Sequence, residues 1–440
     1  MTRLSFGAIR ALFIGGLLLL GSPFEGAPQE SRVTLSTLRV SPGQRAASLR
    51  KIADYMDTSP LALQQPAVLV PFFEQLYRLS SGQTPAPVHI LHFGDSHTAS
   101  DEWTSGLREL LKERFGDGGS GFSVAGHPFP GYRRFDVHGG ASTGWRTDGL
   151  RAAGGDGYLG LGGVSISTQR AGQTVFVETE CDAIEIHYLQ QPGGGDLALY
   201  DHDQRLEEFS TAGDWAPGFV RYSTSPGPHR FMLTTLSSRP VRLFGWVADK
   251  PRGITYEALG LDGVEASVML RWDEAMLASY LRRRSPGLIV LEYGTNEAAA
   301  ATFKFESYRT MFSNLLQRLR RAVPGASILV IGPPDGYLRY HGKWQLLAEV
   351  DAVTAAQQSA CRENACAFWD TRERMGGVGS MRDWVFAGLA QADYIHFTFE
   401  GYRRLAAVLF GDIMKQYETF QKIRMELSEP VSHGQPNQNR

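Results

Sequence analysis

The stretch from Val88 to Arg114 limits what this chain can fold into more than any other. Val88 to Phe93 (VHILHF) is a short apolar run, the pattern of a buried parallel strand. Asp101 to Arg114 predicts a helix, because Trp103, Leu107, Leu110 and Leu111 recur at i, i+4, i+7 and i+8. Gly94-Asp95-Ser96-His97 lies between the two. A serine there stands at the carboxyl end of a strand, where open α/β sheets hold their ligands. Helix N–H groups just beyond it stabilise negative charge. A serine hydroxyl alone is a weak nucleophile, so the reading demands a base elsewhere in the chain. Simple capping of the helix by Asp95 and Ser96 is the plain alternative.

The alternation of strand and helix returns after a long interruption. Gly253–Gly260, Leu288–Tyr293, Ser327–Ile331 and Ala365–Asp370 read as strands. Val264–Arg284, Glu306–Val323, Gln345–Glu363 and Thr398–Ile423 read as helices. Such alternation predicts an α/β fold with a parallel sheet covered on both faces. The interruption has another character. Gly116–Gly163 is glycine-rich and reads as loops. From Val164 to Val247 short runs (VSIST, TVFVETE, AIEIHYL, DLALYDH, FVRYSTS, HRFMLTTL, VRLFGWVA) are separated by turn residues, which predicts an inserted β-sandwich. Its aromatics Tyr200, Trp215, Tyr222 and Trp246 could stack on sugar rings, but such residues are more often core, and none is assigned.

With 440 residues the chain is long enough for two or three domains. The expected division is an export signal over 1–29, a helical segment over 30–85, the α/β domain over 86–150 and 251–426, the inserted module over 151–250 and a disordered tail over 427–440. The signal reading rests on Arg3, Arg10 and the apolar run Ala11–Leu20, too short to span a bilayer. Ala27-Pro28 is a poor cleavage context, so an uncleaved membrane anchor stays open. Export points to the periplasm and permits a local disulfide between Cys361 and Cys366, the pairing expected here. A net charge of −2 gives no electrostatic case for nucleic acid. No metal or cofactor is implied by the cysteine and histidine spacing.

The polar residues fall in a pattern. Ser96 follows the first strand, Gly263 the second and Asn296 the third, while Asp393 and His396 precede the last helix. All belong at one carboxyl edge of the predicted sheet. Acyl-transfer chemistry assigns them roles. His396 is the general base for Ser96, and Asp393 orients the imidazole. The Ser96 N–H, the Gly263 N–H and the Asn296 amide form an oxyanion hole. Gly260 is an alternative to Gly263.

Gly94-Asp95-Ser96-His97, Gly263, Gly294-Thr295-Asn296-Glu297 and Asp393-x-x-His396 resemble the four blocks of the SGNH (GDSL-type) hydrolases, with Glu297 where that family usually has Asp. HFGDSHTA, FGDGGSGF, YEALGLDGVEAS, EYGTNEA and IHFTFEGYRRLA are similar to the exported peptidoglycan O-acetylesterases of Gram-negative bacteria. The resemblance covers roughly Val88–Val408. It implies a flavodoxin-like SGNH sheet and an insert like a carbohydrate-binding module. It also implies removal of acetyl groups from the C6 hydroxyl of N-acetylmuramoyl residues, with O-acetylated peptidoglycan as partner. An O-acyltransferase on the same scaffold and a non-catalytic carbohydrate-binding protein remain alternatives.

Other motifs carry less. Gly140-Ala-Ser142-Thr-Gly144 and Gly155-Asp-Gly157-Tyr-Leu-Gly160 match G-x-S-x-G and G-x-G-x-x-G but lack the strand–turn–helix setting. His97 reads as packing or substrate contact and His92 as core. His187, Asp201, His202 and Asp203 lie on strands and turns of the insert, where a metal is disfavoured.

Overall fold

The computed structural model describes residues 40–58, 62–84, 86–149 and 155–428. The expected signal at 1–29 and the tail beyond 428 lie outside the described residues. Six strands form the central sheet: β1 (Leu63–Gln64), β2 (Val88–Gly94), β3 (Ile254–Gly260), β4 (Leu288–Glu292), β5 (Ser327–Ile331) and β6 (Ala367–Trp369). They lie in the order β1-β6-β5-β4-β2-β3. β2 to β6 are parallel, and β1 joins β6 as an antiparallel edge. The five parallel strands, counted along the chain, stand 2-1-3-4-5, the flavodoxin-like order.

Successive residues of these strands point to opposite faces, and both faces are dry. Ile90, Val290 and Leu329 enter one apolar cluster, Leu91, Ile289 and Ile328 the other. The first cluster is closed by α1 (Pro42–Thr58), α2 (Val70–Ser80), α3 (Glu102–Phe115) and α7 (Phe399–Ser428). The second is closed by α4 (Glu274–Arg284), α5 (Phe305–Ala322) and α6 (Val350–Glu363). Burial on both sides explains why the strands read as continuous apolar runs rather than as alternation. Among the described residues, no helix is long and apolar enough to cross a membrane.

The interruption folds as a nine-stranded antiparallel sheet with its own core around Val177, Ile186, Phe231 and Trp246. Its spine is a pair of long strands, Thr174–Gln190 and Ala216–Thr235. Each reads in the sequence as two runs. In the second, Ser225-Pro-Gly-Pro228 does not end the strand but falls at a shift of register between Ser223 and Gly227, where a bulge accommodates proline. Gly119–Val124, His138–Ala141 and Arg146–Asp148, which read as loops, are strands of this sheet. Glycine and serine in the first two, and the wholly polar Arg-Thr-Asp of the third, leave no apolar alternation to read.

Elsewhere the expected Val264–Arg284 helix is split. Ala266–Arg271 is a 3₁₀ turn, and Asp273 caps α4 by accepting from the Met276 N–H at 2.8 Å. Tyr337–Tyr340 and Lys343–Leu346 form a hairpin, so α6 begins only at Val350. Cys361 and Cys366 are not joined. Both are buried free thiols, and Cys366 lies within hydrogen-bond reach of the Asn364 carbonyl.

The chain leaves and rejoins the central sheet at one neck. The Gly118 N–H donates to the Ile254 carbonyl at 3.0 Å, and the Ile254 N–H donates to the Gly116 carbonyl at 2.9 Å. Above the neck, Arg284 of α4 is buried. It donates to Asp249, at the end of an inserted strand, at 2.7 and 2.9 Å, and to Glu257 of β3 at 2.7 Å. Burial opposes its charge, but the two carboxylates outweigh that and hold it protonated. Phe122, Leu161, Phe244 and Val247 of the insert also enter the cluster that α4 closes. Replacing Arg284 by Met leaves two carboxylates near each other without their cation. It should cost about 3–5 kcal/mol, read as a lower urea midpoint. An unchanged midpoint would refute this account of the joint.

Candidate active site

β2 and β4 are neighbours, but α3 and α5, which follow them, cover opposite faces of the sheet. A crevice therefore opens between their carboxyl ends, the switch point at which doubly wound sheets bind ligands. Backbone bonds knit the ends together. The Asp95 N–H donates to the Glu292 carbonyl at 3.2 Å and the Leu261 N–H to the Gly94 carbonyl at 3.0 Å. A side chain at Gly94 would run into Thr98 and into the Glu292 carbonyl 2.8 Å away, so only glycine permits the turn.

Ser96 opens a short helix, Ser96–Ala99. Asp95 caps it, accepting from the His97 N–H at 3.0 Å. The capping alternative is thus true of Asp95, whereas Ser96 looks elsewhere: its Oγ lies 3.0 Å from His396 Nε2. His396 Nδ1 lies 2.8 Å from Asp393 Oδ2, and Asp393 Oδ1 accepts from the Ile395 and His396 N–H groups at 3.0 Å each. With Nδ1–H donated to the carboxylate, Nε2 is left as the acceptor for the serine proton. Burial would raise the Asp393 pKa. The His396 hydrogen bond and charge and the two backbone donors outweigh it and hold the carboxyl below its usual range.

Gly263 has φ +67°, and nothing lies within 4 Å of where its Cβ would stand, so its backbone borders open space. Gly260 instead ends β3 packed against the Thr98–Ala99 backbone. Asn296 lies in the helix Thr295–Ala299 after β4. Its amide donates to the Val264 carbonyl at 2.9 Å and to Asp95 Oδ2 at 3.2 Å.

Sequence reasoning missed the roles that Asp95 and Glu297 play in this site. Asp95 is buried, and burial together with the charge of Glu292 pushes its pKa well above normal. Glu292 goes the other way: His92, with Nε2 at 3.1 Å, and Thr98, donating at 2.7 Å, overcome its burial and keep it ionised. Glu297 is buried and accepts from the Ala266 N–H at 2.8 Å, tying the Gly263 loop to the Asn296 helix. No local pattern betrays either role, because both depend on partners far along the chain. His97 is also buried. Its Nδ1 meets Tyr402 Oη at 2.8 Å, its ring centre is 5.2 Å from that of His396, and burial with the His396 charge pulls its pKa to about 4. It is neutral at ordinary pH and packs beneath the other imidazole.

The remaining candidates lie apart. Ser142 Oγ donates to Gln173 at 2.7 Å, with no histidine in contact. His187 pairs with Glu185 at 2.8 Å, and Asp201 with His229 and His202 at 2.7 and 3.0 Å. His92 is buried, as expected for a core residue, and bonds Tyr256 at 2.8 Å.

Burial pushes the Glu297 pKa up to about 7. The fold therefore binds this proton more tightly than the unfolded chain. The associated stability is complete below the normal carboxyl pKa and disappears as pH rises through about 7. Glu297→Gln keeps an acceptor for Ala266 and removes the titration. Its stability relative to the parent should rise by about 1–3 kcal/mol between pH 5 and pH 9, measured by urea denaturation. A pH-independent difference would contradict the assignment.

Comparison with known proteins adds to this geometry. Residues 222–404 match the model of the GDSL-like lipase/acylhydrolase family. That segment holds Gly263, Asn296, Asp393 and His396. Ser96 stands before it, separated by most of the inserted sheet. No curated protein matches the sequence. Among solved structures, a peptidoglycan O-acetylesterase superposes with TM-score 0.70 at 24% identity, over 81% of this chain and 99% of that one. A family two carbohydrate esterase from Clostridium thermocellum gives 0.29 at 12% identity, over 62% and 98%. One from Cellvibrio japonicus gives 0.26 at 10% identity, over 64% and 98%.

Proposed function

The chain has the fold of an SGNH-type hydrolase, and on that premise we propose that it is a serine esterase removing O-acetyl groups from a cell-wall glycan. The observation that carries this reading is the hydrogen-bonded line Asp393–His396–Ser96, with steps of 2.8 and 3.0 Å, at the sheet's switch point. The substrate class follows from the likeness to the peptidoglycan O-acetylesterase and from the sequence blocks. The favoured bond is the C6 O-acetyl ester of N-acetylmuramoyl residues. The apolar run Ala11–Leu20 supports work in the periplasm.

The chemistry follows from the geometry. His396 Nε2 takes the proton of Ser96 as Oγ attacks the acetyl carbonyl. The oxyanion forms beside the Ser96 and Gly263 N–H groups and the Asn296 amide. His396 then gives its proton to the glycan oxygen as the C–O bond breaks, leaving acetyl-Ser96. Water, deprotonated by His396, attacks that ester, and acetate leaves with the serine proton restored.

Acetate release from O-acetylated peptidoglycan is the direct test. Ser96→Ala should lower the rate by about 10⁴-fold or more, and Asn296→Ala by about 10²–10³-fold, mostly in kcat. Release that survives Ser96→Ala would remove the nucleophile. A parent that hydrolyses an aryl acetate but leaves the glycan untouched would keep the esterase and discard the substrate.

A further inference from the structure

The hairpin Tyr337–Leu346 rises from the carboxyl edge beyond β5. Its two-residue turn, His341-Gly342, has φ +47° and +78°, the type I′ geometry that matches strand twist. Register places Arg339 opposite Trp344 and Tyr337 opposite Leu346, so these four share one face. That face meets the loop carrying Asp393 and His396. Trp344 lies 4.6 Å from Tyr394 and Tyr337 5.6 Å, measured between ring centres. The Tyr337 N–H donates to the Tyr394 carbonyl at 3.1 Å. Tyr394 has φ +60°, a conformation that a bulky residue adopts only when its surroundings enforce it.

Part of this face is covered and part is not. Tyr394 is buried, whereas Trp344 is 41% exposed beside an exposed Arg339. Residues 337–346 contain Arg339 and Lys343 and no carboxylate. Three carboxylates around it are engaged: Asp383 with Lys51, Asp335 with the Met381 N–H at 2.9 Å, Asp393 with His396. Arg382 adds positive potential close to Tyr337 and Tyr394. The hairpin thus offers an aromatic plane with the Arg339 cation on the same face and unpaired by the hairpin itself, while Lys343 belongs to the opposite face. Sugar rings stack their C–H faces on such planes, and cations select an acidic chain.

We propose that the Arg339–Trp344 face of this hairpin is a subsite for a carboxylate-bearing glycan strand, seating the sugar next to the one whose ester reaches Ser96. The proposal rests on the cell-wall reading of the substrate. The bonds it uses are non-covalent: Trp344 stacks on a ring, and Arg339 pairs with a lactyl or peptide carboxylate. Tyr394 conveys nothing but position, since it backs Trp344 and adjoins the acid–base pair.

Binding is testable apart from turnover. In the full chain with Ser96→Ala, pelleting with insoluble peptidoglycan measures affinity. Adding Arg339→Gln or Trp344→Ala should weaken pelleting about ten-fold each, and Trp344→Phe should retain most of it. In the parent with Ser96 intact, Arg339→Gln should raise KM for the glycan more than it lowers kcat. Unchanged pelleting by both variants overturns the subsite. So does a Trp344→Ala chain that loses aryl acetate hydrolysis while Arg339→Gln alters nothing, because the hairpin would then only brace Tyr394. Hairpin-dependent pelleting by a chain that releases no acetate from the same material would sustain the subsite and remove the esterase substrate instead.

Discussion

The architecture depends on a tight meeting of three strand ends. β2, β3 and β4 finish side by side, joined by the bonds from Asp95 to Glu292 and from Leu261 to Gly94. The space beside Gly94 is too small for even one methyl group. This closeness sets the pitch of the turn that presents Ser96, and it fixes the distance to Asn296 across the switch point. A loop could not hold such a constellation as well as strand ends anchored in two dry faces do.

The same closeness concentrates acid groups. Asp95, Glu292 and Glu297 are all buried near the crevice. The protein resolves the repulsion by giving the carboxyls different environments. Glu292 is kept ionised by His92 and Thr98, while Asp95 and Glu297 are displaced toward their neutral forms. Perturbed proton affinities cluster in functional clefts. Here they leave His396 with one ionised partner in direct contact, Asp393.

The sequence allows the candidate residues to be placed at one sheet edge because each sits at a fixed offset from a strong strand or helix signal. Ser96 is the third residue after VHILHF, Asn296 the third after LIVLEY, and His396 precedes a long amphipathic helix. The 2-1-3-4-5 order followed from the family resemblance and not from periodicity, which cannot say which strands are neighbours. What stayed hidden depends on tertiary partners. β1 is two residues long and exists only because β6 offers an edge. The glycine-rich inserted strands lack apolar alternation, and the hairpin at Tyr337 takes Gln345 and Leu346, the first two residues of a segment that reads as helix. The grip of Asp95 on Asn296 and that of Glu297 on Ala266 span 201 and 31 residues. Cys361 and Cys366 misled because proximity in sequence says nothing about whether two thiols in a packed core are bonded.

The neck has a consequence for how this chain relates to simpler versions of its fold. Gly116 and Gly118 are each hydrogen-bonded to Ile254, so the main sheet would scarcely notice, in connectivity, if everything between were replaced by a short link. Its interior would notice. Phe244 packs on Tyr280 with ring centres 5.5 Å apart, and Phe93 on Trp272 at 6.3 Å, in a cluster that Phe122 and Val247 complete. The topology makes the inserted sheet detachable on paper, while the packing makes it a wall of the α/β domain's interior. A lineage could acquire such a wall in one recombination event, yet could not discard it without first repainting the face it shelters.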